Sequence, residues 1–357
     1  MNMKTFEKFK LGDIQLNNRI VMAPLTRNRA INNVPNELMR KYYAQRATAG
    51  LIISEGTSPS PNGLGYARTP GAYSKVQIEG WKNIAEGVHE NGGNIFVQLM
   101  HTGRVSSLLN LPKNSQVFAP SSIMLEGEIY TDSKGFQPHD TPQEMTIADI
   151  KKVQDDYVNA AKQLIDAGID GVELHAANGY LLEQFINPKT NVRTDEYGGD
   201  YKNRARFVLE LAIRVADAIG SNKVGVRVSP YGVFNDMKGD YDDLVDIYTY
   251  MAEELGKLGI AYIHIVDQRV AMNAPDFTTN IKRTIKTVFE GNIIVGGDVD
   301  SIPKSEKLLN EGYDLVYIGR PFISNPNLVE KLKNNQKLTD PNPDTFYTPG
   351  EVGYTDY

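Results

Sequence analysis

Three polar side chains, His175, Asn178 and Tyr180, follow a short apolar run at positions 171–174. The run has the pattern of a buried strand, so the three side chains would lie where that strand ends. His175 and Asn178 are three positions apart, and a single turn could direct both at one small acceptor such as a carbonyl oxygen. Tyr180 would add a weak acid beside them. Each alone could serve a structural hydrogen bond, so the rest of the chain decides between chemistry and structure.

Apolar, strand-like runs recur eight times along the chain with helix-like segments between them, which predicts repeated βα units and a parallel sheet. The runs occupy positions 20–25, 51–55, 95–101, 171–175, 224–230, 262–266, 292–297 and 315–319. Eight units indicate a closed (β/α)8 TIM barrel, and segment 147–167 carries its apolar residues on one stripe, as a helix packed outside a barrel would. An open doubly wound sheet is the alternative. The glycine-rich stretches follow the last two runs rather than the first one, which favours the barrel.

Two segments lie outside this repeat. Positions 9–18 alternate and turn like a short hairpin, which could close the N-terminal end of the barrel. Positions 102–146 are far longer than a usual βα loop and suggest a lid over the opposite face. No linker or low-complexity tract interrupts the sequence, so we expect one domain over residues 1–357.

Composition excludes several classes of function. The 357 residues include no cysteine, which removes disulfides, thiolate nucleophiles, cysteine-bound zinc and iron–sulfur clusters. The net charge is -6 without a long basic block, so nucleic acid is not an expected partner. Five histidines without a His-x-His pair argue against a catalytic metal. No apolar stretch has the length of a membrane span, and we expect a cytoplasmic protein, monomer or homodimer, that acts on a small molecule.

The C-terminal ends of barrel strands meet at one mouth, so polar residues near those ends can form one site. Thr26 follows the first run, Gln98 lies in the third and Arg227 in the fifth. A hydroxyl, an amide and a guanidinium suit a flat heterocycle with carbonyl and ring-nitrogen acceptors. Glycine-rich positions 295–301 and 317–324 follow the last two runs, where barrels commonly bind phosphate. The predicted ligand is a heteroaromatic mononucleotide.

Seven segments carry a more specific pattern. They are positions 18–30, 98–104, 175–182, 191–199, 225–230, 318–320 and 353–357. In these segments, taken in this order, the chain resembles the Old Yellow Enzyme family of flavin-dependent ene-reductases. Thr26 stands where a second branch of the family has cysteine, so the chain is similar to the plant, yeast and enteric-bacterial branch.

The resemblance implies a noncovalently bound FMN across the barrel mouth. Thr26 would donate to the flavin C4 carbonyl, and Arg227 would stabilise the negative charge that reduction leaves near N1 and C2=O. The residues that the resemblance assigns to the cofactor are Pro24, Leu25, Thr26, Gly56, Gln98, Arg227, Gly297, Asp298, Gly319 and Arg320. The last four would lie near its phosphate.

The resemblance also implies how a substrate is bound and reduced. His175 and Asn178 would bond the oxygen of an activated alkene, an α,β-unsaturated carbonyl compound, and hydride from flavin N5 would reach the β-carbon. Tyr180 would protonate the α-carbon, while NADPH would reduce the FMN in the other half of a ping-pong cycle. The residues expected to border the substrate are Tyr66, Met100 and Tyr354.

Met100 stands where many relatives have tryptophan, which leaves the substrate range and the stereochemistry open. The physiological substrate and the preference for NADPH over NADH are open as well. Three alternatives also suit a barrel mouth. A flavoenzyme with the same FMN site could reduce nitrate esters or nitro compounds through His175 and Asn178. A non-redox lyase or aldolase would need a lysine or clustered metal ligands at the strand ends, and the eight runs end in neither. A non-catalytic flavin sensor would not need the polar pair.

Overall fold

Eight parallel strands form a closed barrel in the computed structural model, which describes residues 3–357. In chain order, barrel strands one to eight are Ile20–Met22, Leu51–Ile53, Ile95–Leu99, Gly171–Ala176, Val224–Val228, Tyr262–Ile265, Ile293–Gly296 and Leu315–Ile318. Each strand pairs with its neighbours in this order, and strand eight closes the ring against strand one. Each overlaps one predicted run, so the prediction of a (β/α)8 barrel is confirmed.

Helices connect the strands and cover the outside of the barrel. The α-helices are Glu37–Ala44, Lys75–Glu90, Ile147–Asp166, Leu181–Ile186, Tyr201–Ile219, Leu244–Leu258, Arg269–Met272, Ile281–Phe289, Ile302–Asn310, Pro321–Ser324 and Leu328–Lys333. The helix predicted at 147–167 begins at a capping box in which Thr146 and Asp149 bond each other's backbone N–H. Within residues 3–357, no helix combines the length and the hydropathy needed to cross a membrane.

The barrel strands are buried on both faces, because one face packs against the helices and the other fills the interior. In barrel strand four, Val172 and Leu174 belong to the core beneath the helices, and Glu173 and His175 alternate with them. Side chains alternate between the two faces of a strand, so Glu173 and His175 point into the barrel. Polar groups therefore occupy the interior near the mouth.

The opposite end of the barrel is apolar and closed. The hairpin of Phe9–Leu11 and Ile14–Leu16 packs against interior residues of the strands, including Phe96. An added Cβ at Gly171 would lie only 2.3 Å from the Phe96 ring, so the ring fits because this position is glycine. The predicted plug is confirmed, and the C-terminal end of the barrel is left as the mouth.

The connection at positions 102–146, here called the lid segment, contains four short strands. They are Phe118–Ala119, Glu128–Thr131, Gly135–Pro138 and Gln143–Glu144. Arg68 ties the lid segment to the rest of the mouth, because its guanidinium bonds the Asp132 carboxylate and the carbonyl oxygens of Asn28 and Tyr347. One side chain thus joins three parts of the chain.

Three buried arginines, Arg27, Arg29 and Arg46, hold positions 345–354 against the connection between barrel strands one and two. We call these positions the tail segment. One of the three, Arg29, donates to the Thr348 hydroxyl of the tail segment. All other acceptors of the arginines in the tail segment are backbone carbonyl oxygens. They belong to Thr345, Phe346, Gly350, Val352, Gly353 and Tyr354.

Candidate active site

The three residues predicted to do chemistry lie on one tight turn at the end of barrel strand four. Asn178 and Gly179 both have left-handed backbone conformations, with φ of 59° and 72°. Asparagine and glycine adopt this conformation more readily than other residues. The helix Leu181–Ile186 begins directly after Tyr180, and the rings of His175 and Tyr180 are 5.0 Å apart between centroids. One strand end therefore presents all three side chains.

A buried carboxylate, Glu183, holds this turn from behind. It accepts from the N–H of Gly179 at 2.6 Å and from the Ser229 hydroxyl at 2.7 Å. The Ser229 oxygen in turn accepts from the N–H of Asn178 at 2.9 Å. Burial raises the pKa of the Glu183 carboxyl to about 7, against the lowering effect of these donors. The left-handed turn is thus anchored by a fully enclosed side chain.

His175 and Tyr180 are both neutral near pH 7. Burial, with a smaller effect from Arg227, lowers the pKa of His175 well below its usual value. Burial also raises the pKa of Tyr180 well above its usual value, and Tyr66 adds to this rise. The hydroxyls of Tyr180 and Tyr66 are 3.1 Å apart. The site therefore contains an imidazole able to donate one hydrogen bond, and a phenol that still holds its proton.

Apolar side chains form a wall beside the trio. Met100, Val105 and Leu125 pack with Tyr180, and Tyr66 lies against this group. Val105 and Leu125 belong to the lid segment, so the lid closes this side of the mouth as expected. The structure thus brings the predicted substrate residues Tyr66 and Met100 together with Tyr180.

A second buried carboxylate, Glu173, lies in the interior beside Gln98. Its oxygens accept from the amide nitrogen of Gln98 at 2.7 Å and from Nδ1 of His264 at 2.9 Å. Burial alone would raise the pKa of Glu173, but these two donors and Arg227 hold it below its usual value. Burial lowers the pKa of His264, which is therefore neutral. Because an ionised carboxylate only accepts, Gln98 must turn its nitrogen toward Glu173 and its oxygen away.

Arg227 is an almost fully buried cation without a partner. Only 7% of its surface is exposed, its Nε is enclosed, and it makes no hydrogen bond or ion pair with the described part of the chain. It lies opposite His175 and His264 on the neighbouring barrel strands. A buried guanidinium is costly to leave unpaired unless a ligand with acceptor atoms or negative charge completes it. This part of the mouth therefore fits an electron-rich ring.

The cofactor positions predicted on barrel strands one and two differ in their surroundings. Pro24, Leu25 and Thr26 are each partly exposed directly after strand one. Gly56 is buried after strand two, and an added Cβ there would lie 2.5 Å from the Met100 sulfur. Gly56 therefore makes room for the Met100 side chain, a packing role that its sequence position did not reveal.

The glycine-rich segments after barrel strands seven and eight have room for a phosphate. Gly297 has a φ of 109°, and an added Cβ at Gly319 would meet nothing closer than 3.8 Å. Arg320 is an exposed cation beside them. Asp298 is less suitable, because its carboxylate pairs with Lys304 at 2.9 Å and would repel an anion. At Asp298, the backbone N–H suits a phosphate and the side chain does not.

The structure corrects the prediction for Tyr354, which does not border the mouth. Its side chain is fully buried, its ring stacks on Tyr42 at 4.0 Å, and Arg27 and Arg29 lie over the same ring. Tyr354 therefore has a packing role. Another tail tyrosine, Tyr347, acts on the site and is more than half exposed. Burial is the main cause of the raised pKa values of Tyr66 and Tyr180, and Tyr347 adds a smaller rise to both.

Sequence reasoning missed the residues that orient the site from behind, namely Glu173, Glu183 and Gln268. A carboxylate at an inward-facing strand position was the available signal for Glu173, because buried charges need partners. Nothing comparable indicated Gln268, whose amide nitrogen lies 2.9 Å from the side-chain oxygen of Asn178.

Residues 4–339 match the NADH:flavin oxidoreductase / NADH oxidase family. The chain is 40% identical over 354 residues to 12-oxophytodienoate reductase 1 of Oryza sativa subsp. japonica, an alignment that covers 98% of this chain and 91% of that protein. Morphinone reductase in complex with tetrahydroNAD superimposes with a TM-score of 0.94 at 40% identity, covering 100% of this chain and 97% of that one. The old yellow enzyme homologue from Zymomonas mobilis gives a TM-score of 0.93 at 37% identity, with 99% of both chains covered.

These similarities extend over the whole barrel and agree with a mouth that fits an electron-rich ring. The chain therefore belongs to the Old Yellow Enzyme group within the NADH:flavin oxidoreductase / NADH oxidase family, and it is an FMN-dependent oxidoreductase of the ene-reductase type.

Proposed function

We propose that the enzyme reduces the C=C bond of α,β-unsaturated carbonyl compounds, with His175 and Asn178 binding the carbonyl oxygen and Tyr180 donating the proton. The observation that carries this proposal is the protonated Tyr180 phenol held against the neutral His175 ring, on a turn shared with Asn178. A carbonyl oxygen that accepts from both donors leaves the β-carbon of the alkene electron-poor. Hydride addition at that carbon is then favoured.

The cofactor in this proposal is noncovalent FMN, with its ring beside Thr26, Gln98 and Arg227 and its phosphate near Gly297 and Arg320. Bound FMN would supply hydride to the alkene after receiving it from a nicotinamide nucleotide. The unpaired Arg227 guanidinium would stabilise negative charge on the ring, and the Gln98 amide oxygen would accept a ring N–H.

NADPH is the proposed reductant, and it would use the same mouth before the alkene enters. Two observations support a nicotinamide nucleotide that uses the same mouth as the alkene. The other end of the barrel is closed by the hairpin plug, and morphinone reductase, which is similar over the whole chain, binds tetrahydroNAD in a solved structure.

Tyr180 would protonate the α-carbon, because burial keeps its proton in place at neutral pH. The resulting phenolate would be unfavourable in the same buried surroundings. Tyr66 could return the proton, since its hydroxyl lies 3.1 Å from that of Tyr180 and its side chain is partly exposed.

The proposal is tested by stopped-flow spectroscopy on the FMN-loaded protein. NADPH should bleach the flavin anaerobically, and 2-cyclohexenone should restore its colour. Tyr180→Phe should slow the second step about 100-fold and leave the first nearly unchanged, because only the second needs a proton on carbon. Tyr313→Phe, which alters a buried tyrosine outside the mouth, is the matched control. Reoxidation that is slow and independent of the enone would overturn the proposal.

A nitrate ester serves as the comparison substrate in the same experiment. Its reduction transfers no proton to carbon, so Tyr180→Phe should affect it far less than the enone. Faster turnover of the nitrate ester than of any enone by the unmodified enzyme would favour the alternative activity.

A further inference from the structure

We propose that Gln268 is a positioning residue that makes the Asn178 amide present its NH2 group, and not its oxygen, to the substrate. This inference rests on the proposed role of Asn178 and specifies the kind of ligand atom that the site selects. A ligand oxygen at this position must accept a hydrogen bond.

Two backbone groups determine the orientation of Gln268 itself. The N–H groups of Val233 and Phe234 both donate to its Oε1, at 2.8 and 3.0 Å. A backbone N–H can only donate, so Gln268 must offer its oxygen to them and its NH2 to the other side. Gln268 is only 2% exposed, which leaves no room for water to take over either contact.

The NH2 group of Gln268 then determines the orientation of Asn178. Its Nε2 donates to Oδ1 of Asn178 at 2.9 Å. The Asn178 backbone is held separately, since its N–H donates to the Ser229 hydroxyl and its carbonyl accepts from Asn235. The remaining polar group of Asn178 is its amide NH2, which makes no hydrogen bond with residues 3–357. That group is therefore free for a ligand.

The backbone is shaped to allow this contact. An added Cβ at Gly232 would lie 2.9 Å from Nε2 of Gln268 and equally close to the Ser229 carbonyl oxygen. Gly232 and Ser229 follow barrel strand five, Gln268 follows barrel strand six, and Asn178 follows barrel strand four. Three neighbouring strand ends thus cooperate to orient one amide.

The isosteric substitution Gln268→Glu is the decisive test. The introduced carboxylate can still accept from Val233 and Phe234, but its second oxygen also accepts, so Asn178 must turn its NH2 toward it. The Asn178 oxygen would then face the substrate carbonyl. We expect kcat/KM for 2-cyclohexenone to fall on the order of 100-fold, because a hydrogen bond is lost and two acceptors are opposed.

Two unreactive ligands of similar shape distinguish reorientation from general damage. Cyclohexanone only accepts hydrogen bonds, whereas cyclohexanol can also donate. Gln268→Glu should weaken cyclohexanone binding to the FMN-loaded protein on the order of 100-fold and cyclohexanol binding by less than about tenfold. Burial raises the pKa of a carboxyl, so both affinities are compared at about pH 9, where the introduced carboxyl is ionised. The cyclohexanone loss should diminish as the pH falls, because a protonated carboxyl at position 268 can again donate to Asn178.

Gln77→Glu is a matched control outside the mouth. Gln77 also accepts two backbone N–H groups on its oxygen and donates through its nitrogen to an acceptor, here the backbone carbonyl of Asn33. Gln77→Glu also buries a carboxyl group against two backbone N–H donors, and ligand binding should stay at the wild-type level. Should Gln268→Glu not fold, Gln268→Met decides, because it frees Asn178 and should weaken cyclohexanone about tenfold.

Equal losses for cyclohexanone and cyclohexanol, or wild-type affinity for cyclohexanone in both Gln268 variants, would overturn this inference. Neither result would affect the proposed function, which fails only if the unmodified enzyme does not reduce enones.

Discussion

Two side-chain amides at the mouth, Gln98 and Asn178, are oriented in opposite ways. Gln98 has its nitrogen engaged by Glu173 and therefore presents its oxygen. Asn178 has its oxygen engaged by Gln268 and therefore presents its nitrogen. The same functional group thus becomes an acceptor in one place and a donor in the other. The difference lies entirely in the partner behind it, which is an ionised carboxylate in one case and an amide in the other.

The two amides also differ in how their backbone is supported. Gln98 lies within barrel strand three, where the sheet itself holds the chain. Asn178 lies on a left-handed turn, which needs Glu183 and Ser229 as additional anchors. We therefore expect substitutions near Asn178 to alter both binding and stability, and substitutions near Gln98 to act mainly on the bound cofactor.

Asn178→Asp should have the largest effect, because it removes the presented donor and puts a carboxylate oxygen in its place. We expect kcat/KM for 2-cyclohexenone to fall on the order of 1000-fold, while FMN affinity stays at the wild-type value. Steady-state kinetics and FMN titration measure the two quantities. A loss below tenfold would show that Asn178 does not present a donor.

Glu183→Gln tests the anchor that Asn178 has and Gln98 lacks. Folding raises the pKa of Glu183 from its usual value near 4.5 to about 7. Its stabilising contribution is therefore complete below about pH 4.5 and is lost as the pH rises through 7. The variant cannot ionise, so its unfolding free energy relative to wild type should rise by about 3 kcal/mol between pH 4 and pH 8.

Urea unfolding of both proteins at several pH values measures this difference, in which contributions from all other groups cancel. A difference that does not change with pH would contradict the raised pKa of Glu183.

Substitutions of Glu173 should have the smallest effect and separate the charge behind Gln98 from its geometry. Glu173→Gln removes a negative charge near Arg227. Its oxygen can still accept from Gln98, and its NH2 can donate to Nδ1 of His264 once that neutral ring carries its proton on Nε2. This substitution should raise the affinity ratio of reduced to oxidised FMN about tenfold, which is an upward shift of about 30 mV in the two-electron midpoint potential. Glu173→Asp keeps the charge but is too short to hold Gln98. It should weaken FMN binding and leave the potential almost unchanged.

Glu210→Gln is the control for Glu173, because Glu210 bonds Lys151 and Tyr197 outside the barrel. Spectroelectrochemistry measures the midpoint potential of each of the three variants, and titration measures its FMN affinity. Equal potentials in Glu173→Gln and wild type would mean that the buried charge does not act on the cofactor.

The sequence was sufficient to predict the eight strands, the hairpin plug and the lid, because these depend on local periodicity and on turn residues. It also placed His175, Asn178 and Tyr180 at one strand end. It could not supply the partners that orient the amides. Gln268 lies 90 residues from Asn178, and no local pattern indicates which residues meet across the barrel.

The error at Tyr354 has a related cause. The tail contains several aromatic residues, and its path is determined by hydrogen bonds from Arg27 and Arg29, more than 300 residues away. Those bonds bury Tyr354 against Tyr42 and leave Tyr347 exposed near the mouth. A motif match alone could not distinguish the two tyrosines.

The arginine contacts to the tail segment have a consequence for engineering this enzyme. The guanidinium groups bond backbone carbonyl oxygens and, with one exception, no side chain, so the exposed tail residues Tyr347 and Val352 are free to change. Gly353 and Tyr354 are restricted by packing instead. A library at Tyr347 could therefore reshape the entrance without loosening the chain. An insertion or deletion within the tail segment would move carbonyl acceptors away from the guanidinium groups, so we expect this segment to tolerate substitution of exposed residues better than a change in length.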